Sequence, residues 1–373
     1  MPDATNPSRI PPASEARAGA HGRVNLMGEH TDYHGGLVLP TVLPQSTEVW
    51  ARRIDGREVR ATSAAFPGPA QRFNLGEEQL THGWVDYVQG VTWVLSRNGT
   101  NLSGFDATIA SSIPVGAGVS SSAALTVSLL RALRSLFALR LDDVSVARLA
   151  RLVETDFVGA PVGIMDQMAC SVGRAGEALF LDTGSLLFER VPFPAGADLL
   201  VLDSGVSHRH AGGQYGERRR ESFAAAECLG VTRLCELQVS DLPRLVTLPP
   251  VLARRARHVL TENQRVSDMV VALRTTDLMR AGHLMNESHA SMRDDYETST
   301  VDVDRLVSLT QGHPATFGAR LTGGGFGGAI VGLTQEKRAV EVAEAVVSAY
   351  RRDTRRDATV LLAGTARTPS PLR

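Results

Sequence analysis

The sequence predicts an α+β fold in two domains, and three observations carry that prediction. The chain has 373 residues, enough for about two domains that each bury a core. Strand-like alternation and helical periodicity occur in separate blocks rather than in a regular strand–helix alternation. No repeat of fixed period occurs, which removes solenoids and propellers. The expected partition is a poorly ordered Pro-, Ala- and Ser-rich arm over 1–18, an N-terminal domain over 19–195 and a C-terminal domain over 196–373.

Each element follows from a local pattern. After a glycine-punctuated stretch from Gly22 to Pro40, strand-like runs near 47–53 and 57–63 flank Asp55-Gly56, a hairpin turn signal. Trp84, Tyr87, Val88, Val91, Val94 and Leu95 recur at helical spacing, and Gly99 stands where a C-cap ends that helix. Phe105, Ala107 and Ile109 alternate as a half-buried strand; Leu125, Leu129, Leu133 and Leu136 then mark a long helix. Asp142 or Asp143 is placed to cap the next helix, which carries Val146, Leu149, Leu152 and Val153 inward and Glu154 near its end. A short helix begins near Met165, and strands are expected at 177–182, 186–191 and 198–203. From about 214 to 311 the pattern is mostly helical, and the chain closes as strand, glycine loop, strand, helix, strand.

Composition excludes several functions. Net charge is −1 with 43% apolar residues, so there is neither the basic excess that attracts nucleic acid nor the polarity of a disordered chain. One basic residue among the 39 is a lysine, Lys337, in a charged segment that reads as the start of a surface helix. A Walker lysine, a protein-kinase strand lysine and a Schiff-base lysine therefore have no credible residue. Cys170, Cys228 and Cys235 form neither a disulfide framework nor zinc spacing. The first residues carry no secretory pattern and no apolar run approaches a membrane span, so the expectation is a cytoplasmic protein, monomeric or weakly homo-oligomeric. The Arg218-Arg219-Arg220 run reads as a solvated helix face, and His208-Arg209-His210 as a weak metal candidate lacking a third ligand.

Two loops are candidates for phosphate. Gly116-Ala117-Gly118-Val119-Ser120-Ser121-Ser122 follows a strand and opens a helix, so backbone N–H groups and the positive end of the helix dipole converge on one spot. The three serines add donors or a metal ligand. The second loop, Gly323-Gly324-Gly325-Phe326-Gly327-Gly328, matches GxGxxG but precedes a strand rather than a helix. That context removes the dinucleotide reading and suits a flexible wall over a ligand. A third segment crowds Arg23, Asn25, Glu29, His30, Thr31, Asp32 and Tyr33 together, a density of directed donors and acceptors that a polyol requires. Asp166 at a helix start reads in isolation as a cap, and Tyr215, just before a helix, as packing or ligand-binding.

Taken together, Gly22 to Tyr33 resembles the signature of galactokinases, within the superfamily of small-molecule kinases that includes homoserine, mevalonate and phosphomevalonate kinases. Pro114 to Ala124 and Thr322 to Gly328 resemble the superfamily's second and third motifs, and Gly163 to Gln167 and Arg255 to Arg265 are similar to further galactokinase segments. The resemblance runs from about residue 20 nearly to the end. It implies mixed or antiparallel sheets, an active site between the domains, and ATP- and Mg2+-dependent phosphorylation of the C1 hydroxyl of α-D-galactose. It also implies roles: Asp166 as the catalytic carboxylate with Arg23 beside it, and Glu29, His30, Thr31, Asp32 and Tyr215 on the sugar. Gly116 to Ser122 would hold the ATP phosphates, with Ser122 and Glu154 on the metal. The departures are His21 for the usual proline, and Val162 and Ala329 where cysteines are common. A kinase of the same fold for N-acetylgalactosamine or arabinose, and a non-catalytic galactose and ATP sensor, stand as alternatives.

Overall fold

A computed structural model describes residues 14–206 and 211–364. The first sheet is built from β1 (Glu15–Asn25), β2 (Leu37–Val38), β3 (Pro40–Arg53), β4 (Glu58–Ser63) and β5 (Phe66–Asn74), then, beyond α1 (Val85–Arg97), β6 (Phe105–Ser111). Three helices follow, α2 (Ser121–Leu136), α3 (Asp143–Leu152) and α4 (Met165–Val172), and the hairpin of β7 (Glu177–Asp182) and β8 (Phe188–Pro192) completes the sheet. Its order is β2-β7-β3-β6-β4-β5, with β1 on β3 and β8 on β7. All pairs are antiparallel except β4 with β6, so the sheet is mixed. The second sheet holds β9 (Ala197–Asp203) and three strands that return after a helical stretch of α5 (Ala211–Cys228), α6 (Pro250–Arg274), α7 (Leu278–Asp294) and α8 (Val301–Gln311). Those strands are β10 (Thr316–Leu321), β11 (Ala329–Gln335) and, after α9 (Ala339–Thr354), β12 (Thr359–Gly364), in the antiparallel order β10-β11-β9-β12.

Where local chemistry is strong, the elements form as the sequence predicts. Gly99 adopts φ +78 and ends α1 with Gly99 N–H on Ser96 O and Thr100 N–H on Leu95 O, the paired bonds that satisfy orphan carbonyls at a helix end. Asp142 caps α3 by accepting from Ser145 N–H at 2.6 Å. Phe105, Ala107 and Ile109 turn inward from β6.

Four expectations fail. The strand begins at Glu15, inside the stretch expected to be a poorly ordered arm, because β3 offers partners from Arg52 onward. Asp55-Gly56 makes its turn, yet β3 and β4 do not pair. β6 enters between them, taking Thr47 to Arg53 of β3 on one edge and Val59 to Ser63 of β4 on the other. A turn signal spans four residues and does not register a strand fifty residues away that buries more apolar surface. Lys337 lies in an exposed turn at φ +66, before α9 rather than within its start. Arg218 is largely buried: it donates to Tyr296 O at 2.8 Å and meets Glu221.

The largest apolar cluster crosses both halves, joining Leu26, Val49, Phe105 and Leu129 to Val201, Met269, Leu284 and Val331. α6 and α7 therefore clamp the two sheets together, and burial on this scale, at roughly 25 cal/mol per Å², outweighs any local hinge preference. The result brings three loops to one place: the turn after β1, the loop before α2 and the loop between β10 and β11.

Candidate active site

These loops line a cleft of about 420 Å³ that includes Arg23, Glu29, His30, Asp32, Gly116, Gly118 to Ser122, Gly163, Asp166, Tyr215 and Gly323 to Gly325. β1 delivers Arg23. The strand shifts register between His21 and Arg23, and a Cβ on Gly22 would lie 2.8 Å from Val119 O, so glycine there lets the phosphate-type loop press on the strand. Arg23 N–H donates to Val119 O at 3.2 Å and its Nη1 to Gly118 O at 2.7 Å. Its Nε and Nη2 both reach Asp166 Oδ1, at 2.7 and 2.6 Å. Among the described residues, Oδ2 of Asp166 has no partner and the side chain is 30% exposed to the cleft. Asp166 therefore does not serve as a helix cap, although it sits in the first turn of α4.

The loop before α2 presents donors. Gly116 and Gly118 take positive φ, and so does Ser120 at φ +66, a conformation that costs a serine on the order of 1 kcal/mol or more. α2 has no side-chain cap, which leaves the first N–H groups of the helix pointing into the cleft. Ser120 Oγ is buried without a partner among the described residues. The Ala117 side chain is packed in the core, so of the expected phosphate set this residue has only its backbone to offer the cleft. Ser122 Oγ donates to Glu154 Oε2 at 3.1 Å, and Gln167 Nε2 to Oε1 at 2.8 Å. Burial raises the Glu154 carboxyl to about 7. Among the described residues no group of three or more His, Cys, Asp or Glu could hold a metal by itself. The Ser122–Glu154 pair is the kind of partial donor set Mg2+ takes when phosphate oxygens and water supply the rest.

The turn after β1 divides its labour. His30 adopts φ +64; its Nδ1 lies 3.0 Å from Tyr33 Oη, and its Nε2 is buried at the cleft wall with no hydrogen-bond partner among the described residues. Burial, with His258 nearby, lowers its pKa to about 3, so the ring is neutral. Asp32 is pressed against Gly163, where an added Cβ would fall 1.7 Å from Oδ2. Burial and the neighbouring charge of Asp166 raise its pKa to about 6. Tyr215 lies inside α5 rather than before it, with its ring 5.4 Å from that of His30 and against Gly324. Thr31 is fully buried, and its hydroxyl sits 2.9 Å from Gly28 O and 2.8 Å from Leu37 O. It closes its own turn and does not face the cleft, contrary to its expected place on the sugar.

Glu29 reaches the cleft floor, and its charge is already matched. Oε2 pairs with Arg320, while Oε1 accepts from Gly323 N–H at 3.0 Å. Arg320 continues to Glu262, which Gly28 N–H, Ser288 and Arg265 also bond. Burial opposes the charge of Glu262, yet Arg265 and Arg320 hold it below the usual carboxylate range. Arg320 and Glu262 are buried completely, and sequence reading assigned neither a role; the available signals were an arginine three residues ahead of Gly323 and the place of Glu262 within the Arg255 to Arg265 segment. This network also corrects the picture of a flexible wall. Thr322 bonds the Asn25 backbone, Phe326 N–H donates to Thr298 O at 2.6 Å, and Cβ atoms on Gly325 and Gly327 would lie 2.4 and 2.5 Å from backbone oxygens. Close approach, not mobility, requires these glycines. His208-Arg209-His210 lies outside the described residues.

A second groove of about 610 Å³ adjoins the start of α2, lined by Phe66, Leu80, Trp84, Tyr87 and Val115 beside Ser121 and Ser122. In the sequence Trp84 and Tyr87 read only as one face of a helix, and nothing there placed them beside the loop.

Comparison with known proteins agrees with this geometry. The profile described as GHMP kinases N terminal domain matches residues 86–174, that of the galactokinase galactose-binding signature 11–53, and that of GHMP kinases C terminal 269–352. The galactokinase of Chloroflexus aggregans is 40% identical over 348 residues, covering 91% of this chain and 88% of its own length. That of Mycobacterium tuberculosis (strain H37Rv) is 41% identical over 333 residues, covering 88% and 91%. The crystal structure of Lactococcus lactis galactokinase complexed with galactose superposes with a TM-score of 0.90 at 31% identity, covering 95% of each chain. L. major mevalonate kinase, at 21% identity and a TM-score of 0.64 over 96% and 99%, shares the fold. By sequence, fold and the residues gathered in its cleft, the chain belongs to the galactokinase family of the GHMP kinases.

Proposed function

We propose that this protein transfers the γ-phosphoryl group of ATP to the C1 hydroxyl of α-D-galactose. The observation that carries the reading is the arrangement of Asp166 Oδ2, free and facing the cleft, between the orphaned His30 Nε2 on one side and the uncapped start of α2 on the other. A sugar held by His30, Asp32, Tyr215 and the lone pairs that Glu29 retains would present a hydroxyl to Asp166. ATP phosphates would lie on the N–H groups and hydroxyls of Gly116 and Gly118 to Ser122, with the base in the aromatic groove beside them.

Phosphoryl transfer depends chiefly on in-line positioning and on neutralising the charge of the transferring oxygens. Asp166 orients the hydroxyl and takes its proton, while Arg23 fixes Oδ1 of that carboxylate and, through its bond to Gly118 O, stands on the phosphate side of the cleft. Ser122 and Glu154 would hold Mg2+, whose bound charge offsets that of the phosphates. ADP release measured over a panel of galactose, N-acetylgalactosamine, arabinose and glucose tests the reading. Galactose should give the highest kcat/KM; preference for another sugar, or binding of both ligands with no turnover, overturns it.

A further inference from the structure

Behind the wall formed by Asp32 and Gly163 lies a separate cleft of about 380 Å³ that the proposed reaction does not use. Arg148 and Arg151, one helical turn apart on α3, and Arg233, beyond α5, line it together. Among the described residues that line it, Asp32 is the one carboxylate. In the cleft on the open face of the first sheet, by contrast, the guanidinia are matched by carboxylates: Arg17 pairs with Glu48, Arg52 with Asp106 and Arg60 with Glu58. Among the described residues, Arg148, Arg151 and Arg233 make no side-chain hydrogen bond and meet no carboxylate, and Arg151 Nε is sealed from solvent without an acceptor. Three like charges converge on one concave space, two of them open to water and one, Arg151, with a buried donor left unsatisfied, so an anion entering the cleft relieves their repulsion and answers that donor.

We propose that this cleft binds a phosphate monoester. A dianion with three terminal oxygens matches three guanidinium forks better than a carboxylate does. Leu152, Ile164 and Leu186 offer an apolar side for an organic group. Because Asp32 and Gly163 form the wall of both clefts, with no room for even a Cβ between them, occupancy behind the wall is felt at the sugar. That coupling, though not the binding, rests on the sugar reading above.

Calorimetric titration of the full chain tests the proposal, at constant ionic strength and with the reactive cleft saturated by galactose, Mg2+ and a non-hydrolysable ATP analogue. Inorganic phosphate and glycerol 1-phosphate are the probes. One saturable site is expected, weakened at least about tenfold by Arg151→Ala with Arg233→Ala, and unaffected by Arg244→Ala, an arginine already paired with Asp241. Tighter binding of the monoester identifies an organic phosphate, and equal binding identifies free phosphate. The exposed Arg233→Glu gives a second variant that leaves the core untouched, and turnover without added phosphate reports that each variant is folded. No saturable heat, or a site that these variants retain, overturns the proposal. The heats do not depend on turnover, so a failed kinase assay would discard the sugar reading and leave the anion result standing.

Discussion

Two arginine–carboxylate pairs stand in the same cleft and do opposite things. Arg23 and Asp166 meet at its mouth, where one carboxylate oxygen is held and the other is free. Arg320 and Glu29 meet beneath its floor, where both members are sealed and the arginine goes on to Glu262. The chemistry of the two pairs is the same; burial separates them. An open pair leaves a charged oxygen for a reactant. In a sealed pair every charge is matched internally, so it fixes the turn after β1 against the loop after β10, and its loss strands a charge in low dielectric.

The largest expected effect breaks the open pair. Asp166→Asn should lower kcat by on the order of 10²–10⁴-fold while costing less stability than breaking the sealed pair, because the amide oxygen still accepts from Arg23 and the site is open to water, measured by ADP release and urea unfolding on the same preparation. Near-normal turnover would remove Asp166 from the chemistry. Breaking the sealed pair should give the reverse signature: Arg320→Met should cost about 3–5 kcal/mol of stability. Adding Glu29→Gln and Glu262→Gln should restore much of that loss but leave the galactose KM raised. A loss below about 1 kcal/mol would show that the network is no rivet.

A smaller effect sharpens the contrast through protonation. The Glu154 carboxyl, raised to about 7 by burial, must be ionised to hold a cation. Its proton competes with Mg2+ below that pH, so the Mg2+ concentration for half-maximal turnover should rise about tenfold per pH unit on acidification. Glu154→Gln should weaken Mg2+ and flatten this dependence. A wild-type requirement that is equal on both sides of neutrality would count against Glu154 as a ligand. The smallest effect belongs to Lys337→Arg, which should leave kcat unchanged, since the residue sits in an exposed turn away from both pairs.

How legible each feature was depended on how local its cause is. Gly99, the Asp142 cap and the alternation of β6 follow from contacts within a few residues, and each formed as read. The two glycine loops and the Arg23 to Tyr33 segment announced themselves by composition. What failed depends on distant partners. β6 entering between β3 and β4, the burial of Arg218 against Tyr296 and the inward turn of the Thr31 hydroxyl are decided by elements far along the chain. The third loop was misread for the same reason, because glycines that look like freedom in sequence prove to be clearance for neighbouring backbone.

By itself the sequence determined which residues are available: a polar segment leaving a strand, an anion-binding turn opening a helix, an aspartate at the start of a short helix, and no lysine for the phosphates. Tertiary structure alone decided which carboxylates stay free. Glu29 and Asp166 both read as carboxylates in the sequence, and the folding of Arg320 beneath one and Arg23 beside the other divides structure from chemistry. The physical reason is that the cost of a charge is set by its distance from water and from its counter-charge. Both distances are properties of packing, which no window along the chain contains.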